Sequence, residues 1–225
     1  MQKQRLGRTE LMVSPVVYGS MIHSGESLAT TREYIEEALD RGVNYFDVAP
    51  TYGDSQSLMG PALAPYREDV VLACKTTERE CDAAQAELFT SLNALHTDYF
   101  DLYQIHALNS VEDVEAIFGA KGCMEGFVRA KQDGIIRNIG ITVHSEEAAL
   151  RALKLFDFDT IMFPFNWALG VLHEWGDRLA QVAKEKDLGV IAIKSLAHRN
   201  WRDEETRSIR NPGVSPSTQT AKKQR

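Results

Sequence analysis

The chain has 225 residues, 44% of them hydrophobic and 25% charged, which is ordinary globular usage and enough for one large core. No apolar run is long enough to span a membrane, and the opening Met1-Gln2-Lys3-Gln4-Arg5 lacks the apolar stretch of a secretory leader. The three widely spaced cysteines, Cys74, Cys81 and Cys123, suit reduced packing thiols better than disulfides or a zinc site, so a cytoplasmic protein without metal is expected. The net charge is −7, and since residues from Arg199 onward hold seven Lys/Arg against three acids, residues 1–198 carry −11, which argues against a nucleic-acid partner.

Along the chain, short β-rich runs bounded by turn residues start at Val16, Tyr45, Val70, Tyr99, Ile136, Thr160 and Val190, with helical patterns between them. Thr30-x-x-Glu33 has the form of a capping box, and Gly42 stops the helix that follows. Ser110-x-x-Asp113 and Ser145-Glu146-Glu147 open later helices, and Gly189 closes the one containing Leu179, Val182 and Ala183. Strand and helix alternate throughout, which means parallel strands joined by right-handed crossovers. Seven consecutive units predict a (β/α)8 TIM-type barrel rather than an open doubly wound sheet. Tyr18-Gly19-Ser20-Met21, after the first strand, has one glycine where a dinucleotide-binding sheet would carry G-x-G-x-x-G.

The same spacing places an eighth strand near residue 219, but Asn211-Pro212-Gly213-Val214-Ser215-Pro216 and the residues after it read as turn or irregular chain. The expectation is an incomplete barrel of about seven strands over residues 1–198, followed by a basic irregular tail over 199–225. Such a barrel has two unpaired edges, and self-association through the open edge is its expected consequence.

A barrel carries its chemistry on the loops past the C-terminal ends of its strands. There the sequence offers Asp47 and Tyr52 after the second strand, Lys75 after the third and His106 after the fourth. Alone, each is more often a cap, a solvated charge or a packing residue. Together they suit carbonyl reduction. A phenol is a weak proton donor near neutral pH, with a reference pKa of about 10. An adjacent Lys75 ammonium would lower the Tyr52 pKa, and Asp47 would hold that ammonium charged and in place. His106 could donate to the carbonyl oxygen from the other side. One His and one Asp are too few ligands for a catalytic metal, and no Ser or Cys is evidently paired with a base. Met21, His23, Trp167 and Trp201 suggest an apolar-lined opening.

Gly42-Val43-Asn44-Tyr45-Phe46-Asp47, Tyr52-Gly53-Asp54-Ser55, Asp101-Leu102-Tyr103-Gln104-Ile105-His106 and Gly134-Ile135-Ile136-Arg137-Asn138-Ile139-Gly140-Ile141 resemble signature segments of the aldo-keto reductases. The likeness runs from Arg5-Leu6-Gly7-Arg8-Thr9 to about Leu196. Gly140-Ile141-Thr142-Val143-His144-Ser145 and Phe163-Pro164-Phe165-Asn166 are similar to bacterial-type members that carry a C-terminal iron–sulfur module, which this sequence does not show. The resemblance implies an NADP(H)-dependent reductase of small aldehydes or ketones. In it Tyr52 would be the general acid, Lys75 and Asp47 its tuning pair, and His106 the carbonyl-orienting group. It also implies a cofactor site made by Gly19, Ser20, Met21, Asp47, Thr142, Met162, Lys194, Ser195 and Leu196. Three positions depart from the family pattern: Thr142-Val143 replaces Ser-Asn, Met162 replaces Gln, and Ile193 replaces an aromatic residue. These departures, with the expected loss of the eighth strand whose loop would help build the phosphate site, keep a second reading open, a truncated non-catalytic relative with a binding or regulatory role or none.

Overall fold

The structure, a computed structural model, describes residues 1–195 and Ala197. A short hairpin, β1 (Gln4–Arg5) with β2 (Met12–Val13), precedes β3 (Tyr18–Gly19). Then come α1 (Leu28–Asp40), β4 (Tyr45–Asp47), α2 (Ser55–Leu63), β5 (Val71–Thr76), α3 (Cys81–Ala94) and β6 (Leu102–Leu108). The described chain continues through α4 (Val111–Phe118), α5 (Cys123–Gln132), β7 (Ile139–Val143), α6 (Glu146–Leu155), β8 (Thr160–Phe163), α7 (Trp167–His173), α8 (Asp177–Glu185) and β9 (Gly189–Ala192). Strands β3 to β9 form one parallel sheet in chain order, each beginning within three residues of its expected start. The expected eighth strand, the tail, Leu196 and Trp201 lie outside the described residues. Among the described residues, no helix is long and apolar enough to cross a membrane.

Side-chain alternation explains how the sheet curls into an incomplete barrel. Phe46, Leu72, Cys74, Tyr103, Ile105, Ile141, Ile161 and Phe163 face outward into one core shared with the helices. The intervening residues Tyr45, Val71, Ala73, Leu102, Met162 and Ile191 face inward and pack in a second cluster, so strands from both halves of the sheet meet inside. Leu6 and Val13 of the hairpin join that inner cluster. The hairpin is fastened to the far end of the sheet: Arg8 N donates to Asp187 O (2.6 Å), Arg5 pairs with the Asp187 carboxylate (2.8 Å), and the Arg8 guanidinium reaches the carbonyls of Asp157 and Phe158. Gly7 has φ +53, and a Cβ there would lie 2.0 Å from the backbone nitrogen of Gly189. On β9 the outward Val190 is 42% exposed.

Two local expectations change. The cap of α1 is Ser27, whose Oγ accepts from Thr30 N at 3.1 Å, not Thr30 itself. Both hydroxyls fit a capping pattern, and the helix starts at the earlier one. Gly189 does not close a helix: α8 ends at Glu185 and Gly189 begins β9, where a Cβ would press to 2.8 Å from Leu6 Cγ. Ser110 and Ser145 cap α4 and α6 as expected, accepting from Asp113 N (3.1 Å) and Ala148 N (3.2 Å). At the lower end of the sheet Asp101 is buried, accepts from Leu72 N at 3.0 Å and pairs with Arg67 and Arg137, both at 2.9 Å. Each guanidinium also stacks on Tyr99 at 3.9 Å.

Candidate active site

The inward row supplies the site. On β4, Tyr45 is followed two residues later by Asp47; on β5, Val71 and Ala73 lead to Lys75; on β6, Leu102 leads to Gln104 and His106. Register puts Gly19 beside Asp47 and Lys75 beside Gln104. The polar residues are thus the upper continuation of the apolar interior, which is why each stands at the end of an apolar run.

Lys75 is fully buried, and its ammonium donates to Asp47 Oδ2, to the Val48 carbonyl (3.1 Å) and to the Tyr52 hydroxyl (3.3 Å). Gln104 Nε2 donates to the other Asp47 oxygen at 3.2 Å. Burial would strip Lys75 of its proton, but Asp47 and Tyr52 outweigh burial and hold its pKa above the ordinary lysine value. This matches the expectation for the pair. Tyr52 corrects the other half: burial raises its pKa first, Lys75 lowers it, Asp47 raises it again, and the balance lies above the ordinary phenol value. Lys75 therefore restrains the phenol rather than driving it below its reference, and Tyr52 carries its proton at neutral pH.

Tyr52 sits on a turn built by the residues after it. Gly53 takes φ +62, where a Cβ would strike Ser24 Oγ at 2.3 Å. Ser55, buried at the start of α2, donates to the carbonyls of Tyr52 (2.6 Å) and Ser20 (3.0 Å), and Asp54 accepts from Gly25 N at 2.9 Å. Ser55 and Asp54 thereby tie the Tyr52 turn to the loop after β3. Their positions in Tyr52-Gly53-Asp54-Ser55 were visible in the sequence, but their supporting role is a long-range contact that spacing does not reveal. His106 faces the Tyr52 ring edge-on, with centroids 6.1 Å apart and planes at 87°. Burial first, then the charges of Lys75, His144 and Arg79, lower its pKa to about 4, so its imidazole is neutral near pH 7, and its Nδ1 has no hydrogen-bond partner among the described residues.

The residues assigned to a cofactor fall into two groups. After β3, among the described residues, Gly19 leaves open space at its Cα, Ser20 is buried with no partner for its hydroxyl, and Met21 is half-buried. Beyond β7, β8 and β9, Thr142 lies opposite Met162 in the sheet, and Met162 opposite Ile191, with Ile193 half-buried on the inner cluster. Thr142 Oγ1 accepts from Ala107 N (2.8 Å), leaving its own O–H as a donor. The Lys194 ammonium bonds to His144 Nε2 (2.8 Å) and has no carboxylate partner among the described residues. The Ser195 carbonyl accepts from Asn166 Nδ2 at 3.4 Å. A hydroxyl donor, an apolar floor and an unneutralised amine fit a nicotinamide with attached phosphates. His23 departs from expectation: it is buried, stacks on Tyr18 at 5.6 Å and bonds its hydroxyl at 3.0 Å, so it lines no opening. Trp167 is 74% exposed on α7. Among the described residues, no group of His, Cys, Asp or Glu is placed to hold a metal ion.

The family model described as the aldo/keto reductase family matches residues 15–223. The chain belongs to the aldo/keto reductase family. Members of the family are generally NAD(P)H-dependent oxidoreductases. This member is similar to the uncharacterized oxidoreductase YqkF of Bacillus subtilis, at 28% identity over 95% of this chain and 72% of that one. It is also similar to the aldo-keto reductase YhdN of the same organism, at 32% identity over 66% of this chain and 47% of that one. A solved aldo-keto reductase, AKR11C1 of Bacillus halodurans in its holo form, superposes with a TM-score of 0.75 at 26% identity, covering 90% of this chain and 71% of that one.

Proposed function

We propose that this aldo/keto reductase reduces the carbonyl group of small aldehydes or ketones in the cytoplasm with NADP(H), and that Asp47, Tyr52, Lys75 and His106 carry the chemistry. The observation that carries the reading is the buried Lys75 ammonium, shared between Asp47 and a protonated Tyr52 at 3.3 Å, with a neutral His106 across from the phenol. Bound NADP(H) supplies the hydride. Thr142 would donate to the nicotinamide amide, Ile193 and Met162 would give an apolar floor, Lys194, Ser195 and Leu196 would meet the phosphates, and Gly19, Ser20, Met21 and Asp47 would close the other side. The substrate oxygen takes a hydrogen bond from the His106 imidazole, which fixes its direction. Tyr52 gives its proton to that oxygen, and the ammonium beside it stabilises the phenolate left behind. Asp47 keeps Lys75 charged throughout the cycle.

The test is Tyr52→Phe, measured as NADPH oxidation with 4-nitrobenzaldehyde and as NADPH binding by fluorescence. Turnover is expected to fall by about 10² to 10⁴-fold, the usual worth of a positioned acid, while cofactor affinity stays within about twofold. Unchanged turnover removes Tyr52 from the mechanism. Wild-type protein that gives no saturable NADPH signal favours the non-catalytic reading, toward which the substitutions at Val143, Met162 and Ile193 lean.

A further inference from the structure

We infer that Arg79 is a positioning residue for the reaction: it clamps a left-handed bulge in β6 and so sets the direction of the His106 side chain. This rests on reading His106 as the carbonyl-orienting group. Pairing between β6 and β7 is regular up to Ile105 opposite Ile141 and resumes at Leu108 opposite Val143, so His106 and Ala107 together face the single residue Thr142. Alternation already points His106 inward; the extra residue at Ala107 lets Leu108 return to the outer core two positions later, where strict alternation would turn it inward. Ala107 takes up the slack at φ +55, a conformation unfavourable for a side chain with a Cβ and sustained where neighbours fix it.

Two neighbours do so. Thr142 Oγ1 accepts from Ala107 N at 2.8 Å, and Arg79 Nη2 donates to the carbonyls of both His106 (2.9 Å) and Ala107 (3.2 Å). Arg79 is itself fixed: Nη1 donates to Thr77 O at 2.9 Å, Asp113 on α4 lies at 3.5 Å, and the Arg79 carbonyl accepts from Cys123 N at 2.8 Å. It follows Lys75 by four residues, so one side chain couples the loop after β5 to the strand end that holds the imidazole. A planar guanidinium can meet three carbonyls and a carboxylate in one geometry, whereas an ammonium is a single point donor. The groups facing His106 are the Tyr52 ring, Lys75, His144 and Arg79, so removing Arg79 takes away one of the charges that oppose imidazole protonation.

The experiment compares the full chain with Arg79→Ala, Arg79→Lys and the double variant Arg79→Ala/Ala107→Gly. It reads His106 ring titration by NMR, Ala107 amide exchange, NADPH affinity, and kcat for 4-nitrobenzaldehyde. Arg79→Ala is expected to raise the His106 pKa from about 4, speed Ala107 exchange and lower kcat on the order of 10²-fold, with NADPH affinity unchanged. Arg79→Lys recovers little. Ala107→Gly in the Arg79→Ala background recovers about tenfold or more, because glycine takes the left-handed conformation unaided. Wild-type titration and exchange in Arg79→Ala, or no recovery by glycine, overturns the inference. Should Arg79→Ala not fold, Arg79→Gln is read by the same signals and judged by the same outcomes. Titration and exchange need no turnover, so a chain without reductase activity sinks the proposed function and leaves this test standing.

Discussion

Replacing Lys75 by methionine keeps the length of a fully buried side chain and removes its charge, leaving Asp47, 5% exposed, with the Gln104 amide at 3.2 Å as its remaining side-chain donor. Breaking a buried ion pair from one side costs about 3–5 kcal/mol, because the abandoned charge has no water to return to. In a chain of this size each kcal/mol moves the melting temperature by about 2–4 °C, so Lys75→Met should melt roughly 10 °C below the parent. Asp47→Asn in the same chain removes the orphaned charge, and the double variant should regain at least about 2 kcal/mol relative to the sum of the singles. Urea unfolding with unchanged slope measures both. The pair's stabilisation persists through neutral pH and is lost only as pH climbs through the raised lysine pKa, above the ordinary 10.5. A loss under about 1 kcal/mol for Lys75→Met, or strict additivity in the double, would refute the account of a dry, mutually dependent pair.

Other consequences can be measured separately. Asp101→Ala leaves the largely buried Arg67 without its carboxylate and Leu72 N without its acceptor, and should cost about 3–5 kcal/mol in urea unfolding while NADPH binding at the opposite rim is retained. Stability should also fall with acid through His106: its folded pKa of about 4 lies below the ordinary 6.5, so the unfolded chain binds a proton that the folded one refuses. That contribution is intact above pH 6.5 and declines as pH drops towards 4, and a His106→Gln chain should lack this part of the slope.

How much of this could be read in the sequence follows from which contacts are local. Asp47, Lys75 and His106 announce themselves because each is a polar residue at or near the upper end of an apolar strand, and inward parity then brings them together without further information. Strand starts at Tyr45 and Thr160 were legible to the residue. The α1 cap was ambiguous because Ser27 and Thr30 both carry hydroxyls, and these bond to each other at 2.9 Å. Burial was not legible: the Lys75 charge predicts a lowered Tyr52 pKa, and desolvation of the phenol reverses the balance. His23 looked like a rim residue until its stacking on Tyr18 placed it in the interior. Arg79 and Ser55 act through contacts to His106 and Ser20, 27 and 35 residues away in the chain, and no local pattern reveals either contact.

The hairpin of β1 and β2 closes on the last described strand of the sheet. Each strand of the sheet pairs with its predecessor in the chain, yet the bond from Arg5 to Asp187 joins residues 182 apart. Ring closure of that length is affordable, since each doubling of the loop adds about 0.6 kcal/mol. Leu6 and Gly7 therefore form a clasp that cannot close until β9 is in place. Ribosome-stalled chains ending before Asp187 should leave that clasp open to protease, and those that carry β9 clear of the tunnel should protect it.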